Sequence, residues 1–209
     1  MPDVIRLSHS PVMTPYAAPL ILLLATSLSA QSPADLDRLG DEAVRRTQEY
    51  VGINTTNPPG NEAAAAAFFA RIFKQEGIAF DSASSAPGRG NIWARLKGTG
   101  SEPALVLLHH MDVVPADPKY WSSDPFAAAA RDGHIYGRGT LDTKTLGIVQ
   151  LQAFLALHRA RVPLERDVIF IATADEEAGG AYGAGWLVKN RPDAFKGAGL
   201  VLNEGHGGS

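Results

Sequence analysis

The chain of 209 residues is 45% hydrophobic and 20% charged, enough for one domain with a sizeable core. Its formal net charge of -3 gives no reason to expect nucleic-acid binding. Cysteine is absent, which excludes a disulfide framework, a thiolate metal site and a cysteine nucleophile; any metal must be held by His, Asp and Glu.

Residues 1–30 read as a secretory signal peptide rather than as part of the fold. Arg6 lies in a short polar segment, an apolar stretch over 17–28 follows, and small residues allow cleavage after Ser29 or Ala30. That stretch is short for a membrane span. The expectation is a secreted or periplasmic protein with no stable membrane insertion after cleavage, with an uncleaved N-terminal anchor as the alternative.

Ser32, Pro33 and Asp35 signal a helix start, and Leu36, Leu39, Ala43, Val44, Thr47 and Val51 follow at helical spacing. Asn57-Pro58-Pro59-Gly60 breaks the chain. Asn61 is placed to cap a second helix, which stops at Gly77. Short strands are expected over 78–81 and 91–96. The continuous apolar run 105–108 suits a strand buried on both faces and leads into His109-His110-Met111-Asp112. Residues 115–126 read as loop, and 134–136 as a short edge strand closed by Gly137-Arg138-Gly139. A long helix is expected from Asp142, a buried strand over 167–174, a helix through 186–189 and a third buried strand over 199–202, ending in Asn203-Glu204-Gly205. Strands alternating with helices predict a three-layer α/β/α domain with a largely parallel central sheet.

In such sheets ligands bind beyond the carboxyl ends of the strands. The run 168–174 ends in Asp175, Glu176 and Glu177, then Gly179 and Gly180. Adjacent carboxylates repel, and a fold tolerates them where something positive sits, most simply a divalent metal. A solvated acidic turn is the plain alternative. His110, Glu176 with Glu177, and Glu204 each end a strand, and Asp142 opens a helix, so four separate segments could meet in one crevice. His110 and Asp112, two apart, share a strand face, as an imidazole ligand and its orienting carboxylate would. His109 points the other way and reads as structural. Asp175 is left as a supporting residue or a strand-end cap, and His158 as a surface residue.

The segments Leu108-His109-His110-Met111-Asp112-Val113-Val114-Pro115, Asp132-Gly133-His134-Ile135-Tyr136-Gly137-Arg138-Gly139-Thr140-Leu141-Asp142-Thr143-Lys144, Asp175-Glu176-Glu177-Ala178-Gly179-Gly180 and Asn203-Glu204-Gly205 occur in this order. With Trp121 and Asp124-Pro125-Phe126 between the first two, the set resembles the co-catalytic zinc hydrolases that include aminoacylase, carboxypeptidase S and succinyl-diaminopimelate desuccinylase. The resemblance implies that His110 binds the first zinc and Asp112 orients it. It makes Asp142 the bridge between two zincs, Glu177 a ligand of the second and Glu204 of the first, with Glu176 as general base. It implies two Zn2+ per complete site, with cobalt or manganese as substitutes. The implied reaction is hydrolysis of an amide bond in a peptide or N-acyl amino acid by metal-activated water, Glu176 passing the proton to the leaving amine.

Thr143-Lys144-Thr145 stands where the family has Met-Lys-Gly, and Asn203 where many members have Asp. Longer members insert a lid or dimerisation domain after this point, then return to finish the sheet and supply a last histidine ligand; the longer parent is thus a candidate homodimer. His206 does not match that histidine's position. Residues 31–209 are accordingly expected to be the N-terminal portion of a zinc-hydrolase catalytic domain, binding one zinc better than two, hydrolysing poorly and exposing a sheet edge. Two readings compete: a related single-domain zinc aminopeptidase, disfavoured by the Gly-Arg-Gly-x-x-Asp-x-Lys form around Asp142, and an inactive fragment or non-catalytic protein of the same fold.

Overall fold

A computed structural model describes residues 33–205. The signal segment 1–30, the Ser32 cap and His206 lie outside the described residues. The elements are α1 (Pro33–Val51), α2 (Glu62–Glu76), β1 (Phe80–Ala86), β2 (Arg89–Leu96), β3 (Glu102–His110), β4 (Ala129–Arg131), β5 (His134–Tyr136), α3 (Thr145–Arg159), β6 (Arg166–Thr173), α4 (Ala184–Asn190) and β7 (Ala198–Leu202).

Five strands form one sheet in the order β1-β2-β6-β3-β7. β6, β3 and β7 run parallel, whereas β2 pairs antiparallel with β6 and β1 antiparallel with β2. The sheet is therefore mixed, and its parallel half is the half that ends in the acidic and histidine residues. Side chains alternate along β6: Val168, Phe170 and Ala172 enter a core with α1, α2 and α3, while Ile169 and Ile171 pack with Leu187 of α4 and with Ala194. This is the three-layer α/β arrangement expected from the sequence.

The larger core is aromatic. Phe69 lies 5.0 Å from Tyr50 and 5.2 Å from Phe170, centroid to centroid, and all three rings are fully buried. Each such ring contributes about 2 kcal/mol through burial. In α1 the buried contacts come from Thr47, Tyr50 and Val51, whereas Leu36 and Val44 are exposed. Asn61 stands at the N-cap of α2 without a side-chain cap bond; its NH2 group donates to the carbonyl of Asn54. Gly77 ends α2 in the left-handed conformation at φ 68°, as expected.

Four sequence expectations need correction. The strand expected over 78–81 begins at Phe80 and runs to Ala86, turning at Pro87-Gly88 into β2. Gly88 has φ 78°, and Pro-Gly is a turn signal that marks this hairpin in the sequence. The 134–136 strand is not an edge of the main sheet; it pairs with β4 in a separate two-stranded ribbon. Asp142 does not open α3: it sits in a π-type turn, Thr140–Lys144, at non-helical φ -116° and ψ 96°. β7 is not buried; it is an edge strand with Leu200, Val201 and Leu202 each more than half exposed. No helix among the described residues is long and apolar enough to cross a membrane.

Candidate metal centre

The parallel strands β3, β6 and β7 deliver their carboxyl ends to one edge of the sheet. His110 is the last residue of β3 and pairs in register with Thr173, the last of β6. Leu107 of β3 pairs with Leu202 of β7, which places Glu204 just past the same edge. Asp142 reaches the edge from the turn before α3. Two buried side chains brace these approaches. Gln150 on α3 donates to the carbonyls of Leu108 and Leu202 at 3.0 and 3.1 Å, tying β7 to β3 directly before Glu204. The Lys144 ammonium donates to the carbonyls of Tyr50 at 3.1 Å and of Ile53, anchoring the turn that presents Asp142. Burial lowers the Lys144 pKa to about 7.

Around His110 Nε2 stand Asp142 Oδ1 at 3.0 Å, Glu204 Oε1 at 3.6 Å and Glu176 Oε2 at 3.8 Å. Candidate ligand atoms of His110, Asp142 and Glu177 lie within 4.8 Å of one another, and so do those of His110, Glu176 and Glu204. The structure thus brings His110, Asp142, Glu176, Glu177 and Glu204 together. Asp142 groups with Glu177, as a bridging Asp142 requires, while Glu204 groups with Glu176 around the same His110. His110 is buried, Glu177 and Glu204 are half-buried, and Asp142 and Glu176 are exposed, so the cluster has a closed floor and an open mouth.

Asp112 is fully buried and has a wider role than orienting a ring. His110 Nδ1 donates to the backbone carbonyl of Asp112 at 2.9 Å, while the Asp112 carboxylate is 3.4 Å away. Donation from Nδ1 orients Nε2 into the centre, 3.0 Å from Asp142 Oδ1, where it would serve as a ligand once a cation replaced its proton. The carboxylate itself accepts the backbone N–H groups of Glu176 at 3.0 Å and Glu177 at 3.1 Å, and the Asn57 amide at 2.7 Å. Burial raises its pKa, but the bonds from His110, Asn57 and the Glu176 amide outweigh burial and hold it low, so it stays ionised.

The turn after β6 depends on Asp175, which adopts φ 69°, a left-handed conformation that Asp tolerates better than most residues. Its carboxylate accepts from Arg89, from Asn57 at 3.1 Å and from the Tyr182 amide at 2.9 Å. Asp175 is therefore a buried turn residue whose carboxylate is held by three donors. Gly179 and Gly180 serve this turn through φ 100° and 72°; nothing lies near where their Cβ atoms would be, so close packing is not their purpose. The close approach is at Gly183, whose Cβ would fall 1.6 Å from the Ala174 carbonyl oxygen. Asn57, Glu62, Arg89, Lys144 and Gln150 were not singled out from the sequence as site residues. Asn57 and Lys144 do stand in recognisable motifs; Glu62, Arg89 and Gln150 have no local signature.

His109 points into the core as expected, near the Tyr50 hydroxyl at 3.4 Å, and burial lowers its pKa to about 3, so it is neutral. His158 is half-buried and bonded to the Glu76 carbonyl at 3.1 Å, not free on the surface. Burial depresses the His110 pKa, but Asp112, Glu204 and Glu176 overcome it and raise the value to about 9. Burial and neighbouring carboxylates push both Glu176 and Glu177 up. A metal-free cluster thus gathers protons to relieve its own negative charge. One imidazole and several carboxylate oxygens with that tendency fit a divalent cation.

Residues 106–208 match the model of Peptidase family M20/M25/M40. The chain is 34% identical to aminoacylase-1 of Sus scrofa over 162 residues, covering 76% of this chain and 39% of that protein. It is 30% identical to succinyl-diaminopimelate desuccinylase of Delftia acidovorans over 185 residues, covering 78% of this chain and 47% of that protein. The fold superposes on human carnosine dipeptidase 1 with TM-score 0.63 at 26% identity, over 82% of this chain and 40% of that one. The chain therefore spans less than half the length of each of these three proteins. The strand-end motifs lie within the matched span, from His110 to Glu204. The chain belongs to Peptidase family M20/M25/M40.

Proposed function

We propose that this chain forms part of a zinc-dependent hydrolase that cleaves the amide bond of a peptide or N-acyl amino acid. The observation that supports this reading best is the meeting of His110, Asp142, Glu176, Glu177 and Glu204 at the carboxyl edge of the parallel strands. His110, Asp142, Glu177 and Glu204 are the residues that would hold metal. Zinc bound there would supply a Lewis acid and lower the pKa of water.

The chain's own groups divide the remaining work. Asp112 holds the Glu176 and Glu177 amides, so these neighbouring side chains keep separate directions. Glu176 is exposed at the mouth of the cluster and is assigned as general base: it accepts a proton from the attacking water and delivers it to the leaving amine. Its raised pKa suits a group that must both take and return a proton. His110, with Nδ1 fixed on the Asp112 carbonyl, turns Nε2 toward the carboxylates, the nitrogen that would coordinate once a cation displaced its proton. A cytosolic setting is not implied; the secreted or periplasmic location stands as part of the proposal.

The test is hydrolysis of N-acyl amino acids and dipeptides by the longer parent protein expected from the sequence, with and without a chelator, alongside Glu176→Gln in that protein. The reading expects release of amino acid that the chelator abolishes and zinc restores, and that Glu176→Gln lowers by about 10² to 10⁴-fold. Activity indifferent to the chelator or to Glu176→Gln contradicts it.

A further inference from the structure

Behind the cluster, and not touching it, lies a buried polar network centred on Asn57 and Arg89. Asn57 and Arg89 are 4% and 5% exposed. Arg89 donates to Asn57 Oδ1 at 3.0 Å, to the Pro59 carbonyl at 2.7 Å and to Asp175, and its guanidinium lies 3.1 Å from Glu62 Oε1. Arg89 has only donors, so Asn57 must turn its oxygen toward it. That orientation aims the Asn57 NH2 at two buried carboxylates, Asp112 at 2.7 Å and Asp175 at 3.1 Å. Both residues belong to the Glu176-Glu177 turn: Asp112 accepts its two amides, and Asp175 opens it at φ 69° while its carboxylate accepts the Tyr182 amide at 2.9 Å on the far side.

We propose that Asn57 and Arg89 are positioning residues that set the direction of Glu176 and Glu177 by fixing Asp112 and Asp175 against one shared amide. The link to metal and hydrolysis rests on the function proposed above; the positional claim does not. Close packing supports a fixed arrangement. A Cβ at Gly60 would lie 2.3 Å from an Arg89 nitrogen and 2.8 Å from Glu62, so the Asn57-Pro58-Pro59-Gly60 loop is moulded around the guanidinium. Asn57 is tied to the site strand as well, its backbone N–H donating to the Val113 carbonyl at 2.9 Å. Two buried acids that share one NH2 depend on it: without it, Asp112 and Asp175 lose a common donor and are free to separate.

The test uses Asn57→Leu and Arg89→Lys in the full chain, with two readouts. The first is amide hydrogen exchange in the absence of metal. In Asn57→Leu the Glu176 and Glu177 amides should exchange at least about tenfold faster, while the β6 amides of Ile169 and Ile171 stay within about twofold. Arg89→Lys should give the same local signature, because an ammonium cannot reproduce the fork that holds Asn57, Pro59 and Asp175 together. The second is Co2+ affinity, which should fall by about 10 to 100-fold in both variants. Unchanged exchange at Glu176 and Glu177 overturns the proposal. So does a uniform rise across β6, or loss of the folded state in both variants, since either would make the pair a support of the core as a whole. If the unaltered chain binds no Co2+, the metal reading fails, while the exchange result still decides the positional claim.

Discussion

The carboxylate of Asp112 accepts the backbone N–H of Glu176 at 3.0 Å, with its second oxygen on Glu177 at 3.1 Å. One buried side chain on the β3 end thus grips two consecutive amides on the β6 end. The imidazole of His110 is fixed by the same residue, through its backbone carbonyl. Histidine and glutamates are therefore set relative to one another by Asp112.

Asp112→Asn should break this arrangement while preserving volume. An amide presents one acceptor, so one of the donors now meeting the carboxylate would face an NH2 group. Divalent-metal affinity should fall by about 10 to 100-fold, and stability by about 1–3 kcal/mol. Co2+ titration and urea denaturation check the two effects; wild-type affinity in the variant would show that the grip is dispensable.

Glu62 predicts a pH signature. Burial, reinforced by the Asp112 charge and opposed by Arg89, raises its pKa to about 7. An acid whose folded pKa exceeds its unfolded one retains a proton that the unfolded chain has lost. Its contribution is neutral well below pH 4.5 and becomes destabilising as pH rises to about 7, by on the order of 3 kcal/mol. Glu62→Gln should remove that decline. Denaturation at pH 5 and pH 7.5 should show the variant's advantage over wild type growing with pH; an advantage that shrinks with pH would contradict the assignment.

Gly183→Ala should be costly. The added Cβ would overlap the Ala174 carbonyl oxygen at 1.6 Å, forcing the start of α4 away from the end of β6. A loss of at least about 2 kcal/mol is expected, read as a lower melting temperature. Gly179→Ala tests a different cost, since its Cβ would enter open space and only the φ of 100° opposes it. That variant should lose about 1 kcal/mol.

Much of this molecule was legible in its sequence because the relevant signals are local. The run into Asp175, Glu176 and Glu177 announces a strand that ends in acid, and the pattern around His110 and Asp112 follows from strand alternation. What stayed hidden depends on tertiary contact. Arg89 looks like an ordinary strand-start arginine until the fold lays it against Asn57 and Asp175. Gln150 occupies a helical position that gives no hint of the carbonyls of β3 and β7 it joins. The helical spacing after Asp142 predicts that it opens a helix, yet it lies in a turn of non-helical geometry whose Lys144 is bonded to the distant carbonyls of Tyr50 and Ile53, contacts no local pattern announces. The exposure of β7 contradicts its apolar composition, which speaks to burial only where a covering layer is present.

The most direct test of the central claim is Co2+ binding followed by visible absorption, comparing the unaltered chain with His110→Ala. The account predicts a saturable absorption band in the unaltered chain, lost on adding a chelator and absent in His110→Ala. A chain that binds no Co2+, or a His110→Ala variant that gives the same band at the same concentrations, would contradict it.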